Sequence, residues 1–134
     1  MNPSLYYMKS VVAGGVAGPA SEARWAPNTD VYAADDGIVI KVELAGIRRE
    51  DLEITVEGSR LLINGLRPDG CRAAKCRFLM MEVNYGHFES IIEMPPGYDL
   101  SKARASYQNG FLRIDVPPLP GPPQNVTVLP EKEK

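Results

Sequence analysis

The residues whose types and spacing could do chemistry are few. His87 is the single histidine of the chain, so no imidazole pair can hold a metal, and any acid–base step would rest on one ring. It follows Gly86 at the start of an alternating run, where an exposed structural histidine is the ordinary occupant. Cys71 and Cys76 have C-x4-C spacing, which is neither the C-x-x-C of a redox helix nor that of a zinc knuckle. Arg72, Lys75 and Arg77 lie around them and would lower a thiol pKa, which leaves two readings, plain loop thiols or a redox sensor. Gly14-Gly15-x-x-Gly18 lacks the lysine-bearing ending of a phosphate cradle and runs into Pro19. Asp35-Asp36 and Glu50-Asp51 fall where turns are expected, and there is no G-x-S-x-G nucleophile elbow. The residues therefore read as no enzyme, with no catalytic, cofactor-binding or metal-ligating set.

The elements that would position any such group are β-strands. Glycine and proline contribute 12 residues each to the 134, and their layout is informative. Six prolines lie between Pro117 and Pro130, and three (Pro3, Pro19, Pro27) lie in the first 27 residues. Between them, glycines recur at irregular short steps, which argues against long helices and for strands broken at turns. Leucine, isoleucine, valine and phenylalanine number 33, above the range of a disordered polymer and enough for one small core. Net charge is −2 with both signs interspersed, so no electrostatic footprint for nucleic acid stands out. The longest apolar run is far short of a membrane span. Val11 to Ala17 has a faint look of a signal segment, but glycines break it and one lysine precedes it. Sparse cysteine usage makes a cytoplasmic location the expectation.

Strands are expected at Asp30–Ala33, at Ile38–Leu44 with Ile38, Ile40, Val42 and Leu44 on one face, and at Leu52–Val56. Gly58-Ser59 turns the last of these into Arg60–Leu66. His87–Met94 follows a poorly patterned stretch from Arg67 to Gly86, inside which Phe78–Glu82 could be a strand of its own. Ala103–Tyr107, Asn109-Gly110 and Phe111–Val116 form the strongest local signal, because Asn-Gly between alternating runs favours a type I′ hairpin turn. The count gives an all-β fold, an antiparallel sandwich of seven or eight strands.

With the strands in place, residues 29 to 117 resemble the α-crystallin domain of the small heat shock proteins, the bacterial and plant branch in particular. The resemblance rests on Asp30-Val31-Tyr32, Ala45-Gly46-Ile47 with Arg49-Glu50-Asp51-Leu52, Leu62-Ile63-Asn64-Gly65, Tyr85-Gly86-His87-Phe88 and Met94-Pro95. Most specific is the run Ala105 to Leu112, which matches the A-x-x-x-N-G-V-L signature with Phe111 for valine. It implies an immunoglobulin-like domain over 28–117, a largely disordered N-terminal arm over 1–27, and a C-terminal extension over 118–134. It also implies an ATP-independent holdase that binds partly unfolded proteins and assembles with itself, as a homodimer building larger oligomers.

By the same resemblance, Phe78, Leu79, Met80, Met81 and Glu82 would cross to a partner's sheet as a dimer-exchange strand. Val126 and Val128 would anchor the tail in a groove lined by Leu52, Ile54, Val56, Ala103, Ala105 and Tyr107. The residues fit that role, since Val126 and Val128 share one face of an extended segment. A polyproline path from Val116 to Val126 spans roughly 30 Å, enough to reach a neighbour. The alternative is that V-T-V merely ends a disordered tail. Leu5, Tyr6, Tyr7, Val11, Val12 and Trp25 are the candidate client contacts of the arm. Three departures stand out: Ala45 where the family usually has proline, and Ser90 and Val83 where it usually has arginine. Fewer ion pairs would then hold the dimer, with Arg77 and Arg104 as available substitutes. Two other classes fit more loosely: a CS/p23-like co-chaperone or interaction module with one defined partner, and a redox- or metal-regulated switch at Cys71 and Cys76.

Overall fold

The computed structural model describes residues 24–70, 75–121 and 128–130, together with the backbone of Ser10–Val11. Its strands are β1 (Ser10–Val11), β2 (Thr29–Ala34), β3 (Gly37–Glu43), β4 (Leu52–Glu57), β5 (Arg60–Arg67), β6 (Gly86–Glu93), β7 (Arg104–Gln108) and β8 (Phe111–Val116). They form two four-stranded sheets, ordered β1-β6-β5-β4 and β2-β3-β8-β7, with every pairing between strands antiparallel. The antiparallel sandwich expected from the alternation is the observed fold.

Alternation places the core. Ile38, Ile40 and Val42 of β3 stand opposite Val116, Ile114 and Leu112 of β8, and all six are essentially without solvent contact. Leu61, Ile63, Phe88 and Ile92 supply the matching face of the first sheet. A period of two puts these residues on one side, so each sheet is apolar inward and mixed polar and apolar outward. Val39 and Glu89 lie on the outer faces yet are buried, Val39 between Tyr32 and Asp115 in register.

Two close approaches fix the sheets locally. Gly65 pairs with Phe88, and a Cβ built there would come within 2.2 Å of the Asp51 carbonyl oxygen and 2.6 Å of the Phe88 ring. Only hydrogen fits. At the β7–β8 turn Asn109 has φ 55° and Gly110 φ 81°, the two positive angles of the hairpin turn that Asn-Gly favours. That hairpin is tied to the end of β3, where Leu44 N–H donates to the Gly110 carbonyl (2.8 Å) and Tyr107 Oη–H to the Leu44 carbonyl (2.5 Å).

Two expectations need correction. Phe78–Glu82 is not a strand in the single chain; among the described residues it pairs with none of the eight strands. Trp25, expected in a disordered arm, is docked on the sandwich by a parallel bridge to Phe88, with the two ring centroids 5.3 Å apart. An indole beside a buried aromatic ring gains area and a favourable tilted geometry, which holds the chain down before β2 begins.

Candidate functional site

The groove between the sheets is built from their adjoining edges. β4 ends the first sheet and β7 ends the second. Where they adjoin, the sandwich is open along Leu52, Ile54 and Val56 on one wall and Ala103, Ala105 and Tyr107 on the other. Two hollows of about 200 and 450 Å³ follow this seam, floored by Leu112, Leu61 and Ile114. The reason is size: Ala103, just before β7, and Ala105 on its edge present only methyl groups to the seam, which leaves a shallow hollow over core residues that are themselves closed to solvent. Val56 is 45% exposed. The structure thus brings all six groove residues together. Of the tail residues assigned to it, Val126 lies outside the described residues, and Val128 is 87% exposed with no strand pairing.

The second feature is the segment between β5 and β6. Phe78, Leu79, Met80, Met81 and Val83 are all exposed, Leu79 and Met80 at 90% and 77%, and Glu82 is exposed beside them. Isolated exposed apolar side chains are ordinary; five in six residues are not. Among the described residues the sheet edges are β2 and β7 in the second sheet and, in the first, β4 and the two-residue β1, which pairs with β6 only at Ile91 and Ile92.

Among the described residues no catalytic set of side chains converges elsewhere. His87 is exposed on β6 and borders a cavity of about 520 Å³ with Arg24, Glu50, Asp51, Glu53 and Asn64 on the outer face of the first sheet. Of the three carboxylates that line it, Glu50 and Asp51 lie within ion-pair reach of Arg48. Arg24 pairs with the buried Glu89, and Arg48 Nε donates to Asp51 at 2.9 Å. That hydrogen bond, then the charges of Asp51 and Glu50, raise the Arg48 pKa above its ordinary value. Asp115 does the same for Arg113, chiefly through its hydrogen bonds. Among the described residues no three His, Cys, Asp or Glu side chains group as metal ligands. Cys76 is not the plain loop thiol of the sequence reading but is disulfide-bonded; the sequence has one other cysteine, Cys71, which lies outside the described residues. Leu5, Tyr6, Tyr7 and Val12 also lie outside the described residues, whereas the Val11 backbone pairs with Ile91 in β6.

A residue that the sequence reading passed over joins several of these parts. Arg67, at the end of β5, donates from Nε to the Asn84 carbonyl (2.9 Å) and from Nη1 to the Ala45 carbonyl (3.1 Å), and its guanidinium lies 4.4 Å over the Trp25 ring.

Against known proteins, this sandwich with its edge groove matches the Hsp20/alpha crystallin family over residues 30–129. The chain belongs to that family. A curated relative, Small heat shock protein C2 of Rickettsia felis, is 30% identical over 98 residues, covering 73% of this chain and 64% of the relative. The match therefore spans less than two thirds of that protein's length. A small heat-shock protein from Xylella fastidiosa, whose crystal structure reveals a distinct high order structure, is 27% identical with TM-score 0.68, over 81% of this chain and 100% of that one. The crystal structure of hspA from Xanthomonas axonopodis is 28% identical with TM-score 0.67, over 73% and 98%. Within this Hsp20-family fold, Ser90 is wholly buried opposite Ile63, so the place usually held by arginine faces the core here. Val83 is exposed, and Ala45 is exposed and accepts from Arg67. Among the described residues no helix is long and apolar enough to cross a membrane.

Proposed function

We propose that this chain is an ATP-independent chaperone of the holding type, which binds partly unfolded proteins and keeps their apolar surfaces from associating. The observation that carries this reading is apolar surface left uncovered in an Hsp20-family sandwich: the β4–β7 groove and the exposed segment 78–83. The activity is binding rather than catalysis. Its partners are client proteins and further copies of this chain, and its setting is the cytoplasm.

Assembly follows from the same surfaces. Phe78–Glu82 pairs with the β2 edge of a second copy, which supplies the backbone partners the segment lacks and buries Leu79 and Met80. The β2 edge is the acceptor because β4 and β7 flank the groove. Val126 and Val128 of a neighbouring copy enter that groove, alternate side chains of an extended tail filling its two hollows. Dimers so linked build a larger oligomer. Client chains compete for the groove when the tail leaves it, and the apolar residues Leu5, Tyr6, Tyr7, Val11 and Val12 add contact area. Trp25, already packed on Phe88, belongs to the domain rather than to this set.

Gel filtration tests the reading. A thermolabile client heated with this protein in the absence of nucleotide elutes with it as a soluble high-mass complex. A client that pellets fully at several-fold excess of this protein contradicts the proposal.

A further inference from the structure

The hydrogen bonds around Arg67 converge on one place, the root of the loop that carries the exposed apolar segment. Arg67 and Gly86 are paired in the β5–β6 register, so the loop between them leaves the sheet at Arg67 and returns at Gly86. The returning limb is held at Asn84 by the Arg67 guanidinium, two residues beyond Glu82. The same guanidinium reaches the turn after β3 through the Ala45 carbonyl and covers the Trp25 ring.

Trp25 is fastened to the same root. Its indole Nε1–H donates to the Gly86 carbonyl (3.3 Å), its backbone N–H to the His87 carbonyl (3.2 Å), and its carbonyl accepts from Glu89 N–H (3.0 Å). Arg24 adds its pairing to Glu89. A cavity of about 260 Å³ beside the indole is bordered by Arg67, Glu82, Val83 and Asn84, so the end of the apolar segment and the indole share one void. A planar cation stacked on a ring while donating in its own plane to two carbonyls fixes three chain segments at once. Lysine, with a single ammonium on a flexible stem, reproduces the charge over the ring but not both in-plane bonds.

We propose that Arg67 is a positioning residue that couples the docking of Trp25, and of the chain entering there, to the orientation of the exchange segment. With Trp25 seated, the loop root is held and the segment is presented to a partner's β2 edge; when Trp25 leaves, the root slackens and the dimer weakens. Linkage makes the coupling reciprocal, so separating the partners must in turn loosen Trp25. This rests on the proposed pairing of Phe78–Glu82 with a second copy, and the test separates the two.

Trp25 is the sole tryptophan of the chain, so its emission reports this junction without labelling. The full-length chain carrying Val126→Ala and Val128→Ala, which keeps the dimer as the largest species, is compared with the same chain bearing Arg67→Ala, Arg67→Lys or Met80→Asp by sedimentation over a concentration series, with emission spectra of the same samples. Expected for Arg67→Ala is a dimer dissociation constant raised at least tenfold together with red-shifted emission; Arg67→Lys recovers part of both. Met80→Asp, remote from the indole in sequence and aimed at the exchange contact alone, dissociates the dimer and also red-shifts Trp25. A Met80→Asp protein that stays dimeric overturns the exchange pairing and this inference with it. If Met80→Asp dissociates while Arg67→Ala keeps the parental constant, the pairing stands and the coupling is overturned. Should Arg67→Ala fail to fold, the reciprocal measurement decides: unchanged Trp25 emission in the dissociated Met80→Asp protein overturns the coupling.

Discussion

Gly65 and Tyr107 show how single atoms hold the groove's walls. Replacing Gly65 with alanine forces a methyl group against the Asp51 carbonyl and the Phe88 ring. Neither neighbour can yield, since one is backbone and the other is buried in the core. The expected cost is about 2–4 kcal/mol, read as a fall in Tm of about 10 °C or more for a domain of this size. A parental Tm would show that β5 and β6 are not packed as described. Tyr107→Phe removes one hydroxyl, whose bond to the Leu44 carbonyl ties β7 to β3. Chemical denaturation is expected to show a loss of about 1 kcal/mol, with no change in m-value. Ser90 makes a related point about charge: the side chain faces the interior, so its hydroxyl spares this core the burial of a guanidinium.

At the scale of elements, the sheet edges decide what the domain can bind. Ala105→Trp places an indole in the groove from an exposed position on β7, so the sandwich is retained while the tail is displaced. Native mass measurement is expected to show dimers in place of larger assemblies. Val126→Ala with Val128→Ala is expected to give the same dimers from the other side of the contact; unchanged oligomer mass in both would refute the tail-in-groove assignment. Legibility in the sequence follows the range of the determining contact. The Asn109-Gly110 hairpin was readable because two adjacent residues carry its dihedral preference. The core strands were readable because their period is local; that the edges of β4 and β7 border one groove came from the family resemblance, since no period says which edges adjoin. Phe78–Glu82 is an apolar run without alternation and is no strand within one chain, since strand pairing depends on a partner that no local pattern supplies. The clamp of Arg67 on Trp25 joins residues far apart in sequence, and no spacing announces it. Val39, assigned outward by parity, is outward and still buried, because neighbouring strands contribute long side chains around it.

For the whole molecule, the small sandwich closes its core but leaves two apolar surfaces uncovered, the β4–β7 groove and the segment 78–83; on the proposed function, copies of this chain cover them at rest and unfolding proteins under stress. The central claim is that this surface protects clients without fuel. Its most direct measurement is light scattering from a heat-aggregating client, with nucleotide removed enzymatically beforehand. The account predicts that scattering falls progressively as this protein is added, reaching baseline near equimolar subunits or at a small excess. Scattering that stays at the level of client alone at several-fold excess would contradict it.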